Sequence, residues 1–490
     1  MTISKLLERA RQFEQEQQTR ISRADRPLFH LTPPVGWMND PNGFCRYRGQ
    51  YHLFYQYHPY SRVWGPMHWG HAVSDDLLRW SYLPCALAPD TEADAGGCFS
   101  GSALPLPDGR LMLAYTGVRE TGGGETVQAQ CVAVGDGVDF EKSPQNPVID
   151  ASCLPEGYSA ADFRDPKIWL DPDGVLRMAA ANRHADRQGS ILLFESENGT
   201  DWRFTAELDS TCGQYGQMWE CPDFFRLDGC QVLLASAQEM RGDGEFHPGH
   251  GTMAILGEYD PVQACFRRES IQPLDWGLDF YAPQTVLTPD GRRVMIAWMD
   301  NWQYAKRTPR IHPWYAQMTL PRELTVENGR LKQRPVREIE TLWRDTIRYE
   351  NIALREQTEL PGIRGRTLDM EMAVRPESAA SRFALLLAKD ENHEILIRYD
   401  PGPGELILDR NRGGSCQDIA HMRRVRAGLV DGTLTLRALL DKESLELFIN
   451  GGEKVMTAQL FAPPAADGIA FSASGPCTLS VTAHPLGPSV

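Results

Sequence analysis

Apolar and polar residues alternate in short runs along the first two thirds of the chain, and turns that contain glycine separate these runs. Residues 44–57 are an example: aromatic and polar residues alternate on both sides of Arg48-Gly49, which predicts two strands joined by a turn. A short polar or acidic motif precedes this pair of strands, and the same arrangement returns four more times. The five motifs start at Asn39, Phe99, Phe163, Glu220 and Tyr281.

The spacing between these starts is nearly constant, at 60, 64, 57 and 61 residues. A repeat of this length has room for about four strands, which is typical of the blades of a β-propeller. Five repeats therefore predict five blades, with the motif starts converging on the rim of a central channel. Three of the repeats would bring a carboxylate to that rim, namely Asp40, Asp165 and Glu220.

The pattern of apolar and polar residues changes after Trp302. Residues 318–342 run from a short strand through an Asn-Gly turn into a charged stretch that predicts a connecting helix. From about residue 346 onward, alternating segments closed by Asp, Asn, Gly or Pro predict antiparallel strands with one buried face. This pattern indicates a second domain, a β-sandwich, and an all-β fold for the chain.

The first residues have a different pattern. Residues 1–20 are polar and predict a helix, with four apolar residues on one side, Leu6, Leu7, Ala10 and Phe13. The predicted organisation is therefore a helical extension over residues 1–26, a catalytic five-bladed propeller over 27–335, a linker over 336–345 and the β-sandwich over 346–490.

Length, charge and cysteine count restrict the classes of function. A chain of 490 residues is long enough for two domains, and its net charge of −15 argues against nucleic acid or an anionic membrane as a partner. Residues 1–20 contain no apolar run of the length that a signal peptide needs. Eleven cysteines, an odd number, then favour reduced thiols and a cytoplasmic protein. The sequence leaves open whether the protein is a monomer or a homodimer.

Four groups of residues resemble cofactor or metal sites, but only superficially. Cys221 and Cys230, like His68 and His71, lack a four-ligand spacing and are better interpreted as packing and hydrogen-bonding residues. Residues 122–124 are three glycines without the Lys-Ser/Thr of a phosphate loop. Residues 171–174 repeat elsewhere as Pro-Asp-Gly, which marks a hairpin turn instead of a calcium loop. We therefore expect no metal and no cofactor.

The three carboxylates suit hydrolysis of a glycosidic bond, since two carboxyl groups suffice for this reaction and no Ser-His or Cys-His constellation competes with them. Asp40 precedes Pro-Asn-Gly, whose backbone N–H groups would keep it ionised, as a nucleophile requires. Glu220 stands between Trp219 and Cys221-Pro222, and these less polar neighbours suit a general acid. Asp165 follows Arg164, although adjacent residues of a strand point to opposite faces.

The register of the three motifs leaves the direction of the Glu220 side chain open. When Pro41, Pro166 and Pro222 are aligned, Asp40 and Asp165 fall in one register and Glu220 lies one residue earlier. A regular strand would then turn Glu220 away from the other two carboxylates.

Three motifs resemble the signatures of glycoside hydrolase family 32, the group of invertases, fructanases and sucrose-6-phosphate hydrolases. They are WMNDPNG at 37–43, FRDPK at 163–167 and WECPDFF at 219–225, and FSGS, DFYAPQT, AWM and LPREL are further similar segments. The resemblance implies a five-bladed propeller with a C-terminal β-sandwich. It also implies a retaining mechanism in which Asp40 is the nucleophile that forms a covalent fructosyl-enzyme, Glu220 the acid/base and Asp165 the transition-state stabiliser.

The resemblance further implies which residues line the fructose pocket. They are Asn39, Gln56, Trp64, Phe99, Ser100, Arg164, Asp279, Tyr281 and Trp298. The segment 408–412 (LDRNR) departs from the Arg-Ser pattern expected in the sandwich, which leaves the contribution of the sandwich to the site open.

The implied activity is that of a β-fructofuranosidase, or invertase, acting on sucrose or sucrose 6-phosphate. The stretch WGPMHWGH is similar to the intracellular members of the family. Alternatives on the same scaffold are an exo-fructosidase acting on short fructo-oligosaccharides or fructans, a fructosyltransferase, and a non-catalytic sugar-binding propeller. The loop residues that could contact a phosphate are Arg119, Arg183, His184, Arg307, Arg310 and His312.

Overall fold

The computed structural model describes residues 3–186, 188–305, 307, 311–414 and 419–487. One α-helix, α1 (Lys5–Gln18), lies near the start, and the Ser4 side chain caps it by accepting from the backbone N–H of Leu7 at 3.1 Å. Leu7 and Ala10 are buried on its inner face, whereas Leu6 is 45% exposed. Short 3₁₀ helices occupy Arg23–Asp25, Ala151–Cys153, Arg337–Leu342 and Asn450–Gly452.

The first 21 strands form five separate sheets. In chain order they are β1 Gly36–Tyr47, β2 Gln50–His58, β3 His68–Ser74, β4 Ser81–Leu87, β5 Gly97–Pro105, β6 Leu111–Glu120, β7 Thr126–Gly135, β8 Phe140–Lys142, β9 Tyr158–Leu170, β10 Leu176–His184, β11 Gly189–Ser196, β12 Arg203–Ser210, β13 Met218–Leu227, β14 Cys230–Arg241, β15 Pro248–Asp260, β16 Cys265–Pro273, β17 Tyr281–Leu287, β18 Arg293–Trp298, β19 Trp314–Tyr315, β20 Arg322–Glu327 and β21 Arg330–Pro335.

These five sheets are the blades of a propeller. Each blade is an antiparallel meander that begins with its inner strand, and the inner strands are β1, β5, β9, β13 and β17. Each inner strand contacts the next one around the ring, and β17 contacts β1, so the ring is closed. The short strand β19 pairs in parallel with β1 and joins the last blade to the first. All five predicted motif starts lie in these inner strands, which confirms the five-bladed propeller.

The remaining strands form a sandwich of two antiparallel sheets. They are β22 Ile347–Leu354, β23 Thr367–Pro376, β24 Phe383–Lys389, β25 Glu394–Asp400, β26 Glu405–Arg412, β27 Met422–Arg426, β28 Leu434–Asp441, β29 Ser444–Ile449, β30 Lys454–Gln459, β31 Gly468–Ala473 and β32 Cys477–Pro485. One sheet has the order β22-β32-β23-β28-β29-β30 and the other β27-β26-β25-β24-β31. Alternate apolar residues of both sheets share one core, which confirms the predicted β-sandwich.

The prediction of a helix in the charged stretch after the Asn-Gly turn is mostly wrong. Residues 330–335 form β21, the outer strand of the fifth blade, and only Arg337–Leu342 turn as a 3₁₀ helix. Pairing with β20 stabilises the strand here, since residues 322 to 327 of β20 lie opposite all six residues of β21. Tertiary pairing therefore overrides the local preference for helix.

The propeller and the sandwich meet across buried charged groups. Arg322 of the fifth blade donates two hydrogen bonds to Oε2 of Glu446 in the sandwich, at 2.8 and 2.5 Å. His30 contacts Asp441 and Glu446 through its two ring nitrogens, each at 2.9 Å. These contacts fix the sandwich against one side of the propeller. In the described part of the chain, no helix has the length and apolar character needed to cross a membrane.

Candidate active site

Every inner strand of the propeller contains a β-bulge at its motif. On β9, β13 and β17, two residues of the inner strand lie opposite one residue of the neighbouring strand, and the second of the two is a proline. The inner strands β1 and β5 have shifts of their own, at Asn39-Asp40 and at Ser100. The three bulges that include a proline are Asp165-Pro166, Cys221-Pro222 and Ala282-Pro283.

The residue before each of these prolines has left-handed backbone geometry. The φ angle is 64° at Asp165, 49° at Cys221 and 52° at Ala282, a region that residues other than glycine rarely adopt. This conformation interrupts the alternation of faces along the strand, so two successive side chains can both face the channel. Glu220 contacts Arg164 and Tyr281 on the inner strands of the two adjacent blades, and Cys221 contacts Asp40 and Asp165, so the strict alternation of a regular strand does not hold here.

Asp40, Asp165 and Cys221 meet around one point of the channel. The thiol of Cys221 lies 3.5 Å from Oδ2 of Asp40 and 3.5 Å from Oδ2 of Asp165. The backbone N–H of Cys221 also donates to Oδ2 of Asp165, at 2.9 Å. Ser100 donates to Oδ2 of Asp40, at 2.6 Å. The other oxygen of Asp40, Oδ1, is buried and accepts no hydrogen bond from the described residues.

Glu220 belongs to a second group of residues, one position earlier on each strand. Its Oε1 accepts from Nε and Nη2 of Arg164, at 3.1 and 2.9 Å. Its Oε2 accepts from the hydroxyl of Tyr281, at 2.7 Å. The prediction of an apolar environment, based on Trp219 and Pro222, is therefore wrong. The partners of the Glu220 carboxyl are a guanidinium group and a phenol from the two adjacent blades.

Burial and mutual proximity control the charges of the site. Burial raises the pKa of Asp40, and the charge of Glu220 raises it further, whereas the hydrogen bond from Ser100 opposes the shift. Burial likewise raises the pKa of Asp165 to about 7, with the Arg164 guanidinium lowering it and Glu220 and Asp40 raising it. The expected set of backbone donors around Asp40 is replaced by the side chains of Ser100 and Cys221.

Two of the predicted pocket residues lie beside this group on the first blade. Asn39 adjoins Asp40 in the bulge of β1, and its Oδ1 accepts from the indole Nε1 of Trp37 at 2.7 Å. Gln56 lies opposite this bulge on β2 and donates to the carbonyl of Cys98, at 3.0 Å. Asn39 and Gln56 are thus buried polar residues next to Asp40.

The predicted aromatic residues lie at two depths. Trp64 is 44% exposed and contacts Phe99 edge to face, with 6.0 Å between the ring centroids. Trp298 is fully buried and packs against Trp302, with ring centroids 4.9 Å apart. Trp64 and Phe99 therefore lie at the open end of the channel, and Trp298 supports its wall.

The structure does not bring Asp279 together with the other predicted residues. Its carboxylate is fully buried between the propeller and the sandwich, where Nη1 of Arg410 donates to its Oδ2 at 2.5 Å. The hydroxyl of Tyr304 donates to the other oxygen, at 2.8 Å. Asp279 thus links the fifth blade to the segment of the sandwich whose sequence departs from the family pattern.

Two residues of the site are absent from the sequence-based set. One is Cys221, and the other is Thr116, whose hydroxyl accepts from the backbone N–H of Asp165 at 2.9 Å. The alignment of prolines 41, 166 and 222 contains the signal for Cys221, because it places this residue in the column of Asp40 and Asp165. No local signal points to Thr116, which reaches Asp165 from the second strand of another blade.

The candidate phosphate contacts are largely engaged by acidic groups. Arg183 pairs with Asp162, and His312 contacts Oε1 of Glu443 at 2.7 Å. His184 contacts Asp186 at 3.2 Å. Arg310 lies outside the described residues.

Comparison with known proteins places both domains in one family. The model of the glycosyl hydrolases family 32 N-terminal domain matches residues 30–335, and that of the family 32 C-terminal domain matches residues 338–485. The chain is 37% identical over 455 residues to raffinose invertase of Escherichia coli, which covers 90% of each chain. It is 36% identical over 454 residues to sucrose-6-phosphate hydrolase of Escherichia coli, with 89% of this chain and 90% of the relative covered.

A solved structure is similar over its whole length. A mutant of the Bombyx mori GH32 beta-fructofuranosidase, in complex with sucrose, has a TM-score of 0.85 and 34% sequence identity, with 100% of both chains covered.

Proposed function

The chain belongs to glycosyl hydrolases family 32, and we propose that it is a retaining β-fructofuranosidase that hydrolyses sucrose. It is a glycoside hydrolase acting on β-fructosides. One observation carries the proposal: Asp40, in the bulge of β1, and Glu220, one residue before the bulge of β13, lie close enough for the charge of Glu220 to raise the pKa of Asp40, and each carboxyl has partners that suit a different role. The similarity to invertases and to a structure that holds sucrose supports this substrate class.

Asp40 is the proposed nucleophile. Ser100 and Cys221 hold its Oδ2, whereas its Oδ1 accepts no hydrogen bond from the described residues. In the first step a carboxylate oxygen of Asp40 forms a bond to the anomeric carbon of the fructosyl unit while the bond from that carbon to the glycosidic oxygen breaks. Glu220 gives its proton to this oxygen, and glucose leaves.

Glu220 is the proposed acid/base. After it has lost its proton, Arg164 stabilises the carboxylate through Oε1, and the Tyr281 hydroxyl stabilises it through Oε2. In the second step Glu220 takes a proton from water, and the water oxygen bonds to the anomeric carbon as the ester bond to Asp40 breaks. Two displacements retain the configuration, which requires carboxyl groups separated by about 5–5.5 Å.

Asp165 is the proposed transition-state stabiliser. Its position beside Asp40, linked through Cys221, suits hydrogen bonds to hydroxyls of the fructosyl ring. A carboxyl with a pKa raised to about 7 can accept or donate such bonds near neutral pH. The positive charge that develops on the ring in the transition state then strengthens its interaction with the carboxylate.

Unphosphorylated sucrose is the proposed natural substrate. Arg183 and His312 are already paired with Asp162 and Glu443, and a phosphate would have to displace these carboxylates. The net charge of −15 adds a general repulsion toward a dianion. The side chains of Trp64 and Phe99 at the open end suit the apolar faces of a glucose ring.

The test is kcat/KM for sucrose, sucrose 6-phosphate and a short inulin on one preparation, together with NMR of the first fructose anomer released. We expect sucrose to be the best substrate and β-fructofuranose to appear first. A preference for sucrose 6-phosphate would overturn the substrate assignment, and an inverted anomer would overturn the mechanism. An Asp40→Asn variant is the control, because only background hydrolysis should remain.

A further inference from the structure

The segment that leads into the inner strand of the fifth blade is hydrogen-bonded to the sandwich. The backbone N–H of Trp276 donates to the carbonyl of Val455 at 2.8 Å, and that of Leu278 donates to the carbonyl of Thr457 at 2.7 Å. Both acceptors lie on β30, the edge strand of the six-stranded sheet. The sandwich therefore determines where this part of the propeller begins.

A buried ion pair completes this attachment. Nη1 of Arg410 donates to Oδ2 of Asp279 at 2.5 Å, and both side chains are fully excluded from solvent. The guanidinium group also donates to the carbonyls of Gln459, at 3.0 Å, and Ala420, at 3.0 Å from Nη2. Asp279 in turn accepts from the backbone N–H of Gln459, at 2.6 Å. Loss of the Arg410 side chain would leave a buried carboxylate without its counter-charge.

Asp279 is only two residues from a contact of the proposed acid/base. Tyr281 donates to Oε2 of Glu220 at 2.7 Å, and the next residue, Ala282, has a φ of 52° and donates its N–H to Ser236 at 3.0 Å. This stretch is thus held at one end by the sandwich and at the other by the fourth blade. A displacement of Asp279 would carry the Tyr281 hydroxyl away from Glu220.

We infer that Arg410 is a positioning residue for the reaction, which acts through Asp279 and Tyr281 to orient Glu220. The sandwich then contributes to proton transfer without contacting the substrate. The inference rests on the proposed role of Glu220 as acid/base. It gives a reaction-related role to a sandwich residue that lies outside the predicted pocket set.

The test uses two substrates that differ in their need for an acid. Sucrose needs a proton on its leaving oxygen, whereas 4-nitrophenyl β-fructofuranoside has a leaving group that departs without one. We expect Arg410→Met to lower kcat/KM for sucrose about 30- to 100-fold. For the aryl fructoside kcat/KM should fall less than about 3-fold, because a misplaced acid slows only the reaction that needs it. The ratio of the two values is the readout.

Two further variants separate positioning from stability. The double variant Asp279→Asn/Arg410→Met removes both charges. The amide oxygen can still accept from the backbone N–H of Gln459, and the amide NH2 can donate to the Tyr304 hydroxyl, so the variant should restore much of the sucrose-to-aryl ratio. Arg437→Met is the matched control, since Arg437 pairs with the fully buried Asp369 at 2.6 Å, within the sandwich. It should lower Tm and leave the substrate ratio unchanged.

Equal losses on both substrates in Arg410→Met would overturn the inference and reduce Arg410 to a structural role. The same conclusion follows if the double variant folds and its substrate ratio stays low. If Arg410→Met does not fold, Arg410→Lys is used instead, because lysine keeps the positive charge and loses the paired contacts of the guanidinium group. An unchanged sucrose-to-aryl ratio in Arg410→Lys would also contradict the inference. Failure of the proposed function is distinct, since the wild-type protein would then cleave neither substrate.

Discussion

The guanidinium group of Arg164 donates two hydrogen bonds to a single oxygen of Glu220, from Nε at 3.1 Å and from Nη2 at 2.9 Å. The two residues come from neighbouring blades, and both stand one position before the left-handed residue of their bulge. The contact leaves Oε2 to Tyr281. Both oxygens of the Glu220 carboxyl therefore have partners on the adjacent blades, which fixes the orientation of the group.

Replacing Arg164 by lysine should lower kcat/KM for sucrose by about 100-fold, because an ammonium group cannot reproduce the paired contacts that orient the carboxyl. Steady-state kinetics and a thermal melt would check this. Arg183→Lys is the matched control, since Arg183 shares the partner Asp162 and is 40% exposed. Comparable losses in the two variants would contradict the role given to Arg164.

Replacing Ser100 by alanine should move the acidic limb of the kcat/KM profile to higher pH. The hydrogen bond from Ser100 opposes the effect of burial on the pKa of Asp40, so its loss raises that pKa further. A nucleophile must be ionised, so when the pH is lowered the variant should lose activity at a higher pH than the wild type does. Ser102→Ala is the control, because the hydroxyl of Ser102 bonds to the backbone of Pro166 and Ile168 instead of to Asp40. An unmoved limb in Ser100→Ala would count against the assignment.

Replacing Asp165 by asparagine should stabilise the fold at alkaline pH while it abolishes most activity. The pKa of the Asp165 carboxyl is raised from its ordinary value of 3.8 to about 7 in the folded protein. The contribution of this carboxyl to the free energy of unfolding is therefore fully present below pH 3.8 and is lost as the pH rises through about 7. We expect Tm of Asp165→Asn to exceed that of the wild type by about 2–4 °C at pH 8 and to equal it at pH 3.5. The exposed Asp173→Asn serves as control, and an equal Tm at pH 8 would contradict the prediction.

The interface between the domains should weaken at high pH. The Asp441 and Glu446 carboxylates outweigh burial and raise the pKa of His30 from 6.5 to about 9. Stability from this group is present below pH 6.5 and is lost as the pH rises through 9, which amounts to about 3 kcal/mol. Urea unfolding at pH 6 and pH 9.5 should show this loss in the wild type and not in His30→Gln. A wild-type free energy of unfolding that stays constant over the interval would refute it.

Much of the propeller could be predicted from the sequence because each blade repeats the same local sequence pattern. A polar motif, an apolar strand and a glycine-containing turn recur at nearly equal spacing, and the apolar faces of such units can be buried only against one another. The outer strand of the fifth blade was beyond this pattern, since residues 330–335 are charged and become a strand through pairing with Arg322–Glu327.

The three carboxylates could be placed on the channel, but the partners of Glu220 could not. Left-handed φ angles at Asp165 and Cys221 are unfavourable in isolation and are imposed by the assembled blades, so no local pattern predicts which way Glu220 faces. Its partners Arg164 and Tyr281 lie 56 and 61 residues away. Spacing alone does not show which side chains meet across two blades.

Asp279 illustrates the same limit across domains. The sequence around it is similar to that of a pocket residue, and its counter-charge Arg410 lies 131 residues further along, on a strand of the other domain. Only the docking of β30 beside residues 276–279 brings the two together.

The most direct test of the account is to identify the residue that carries the fructosyl group. In Glu220→Gln the activated aryl fructoside should still form the covalent intermediate, whereas its hydrolysis should be slow because water lacks a base. Mass spectrometry of the quenched protein, followed by peptide mapping, should find one fructosyl adduct on Asp40. An adduct on Asp165, or rapid hydrolysis with inverted configuration and no adduct, would contradict the assignment of Asp40 as the nucleophile.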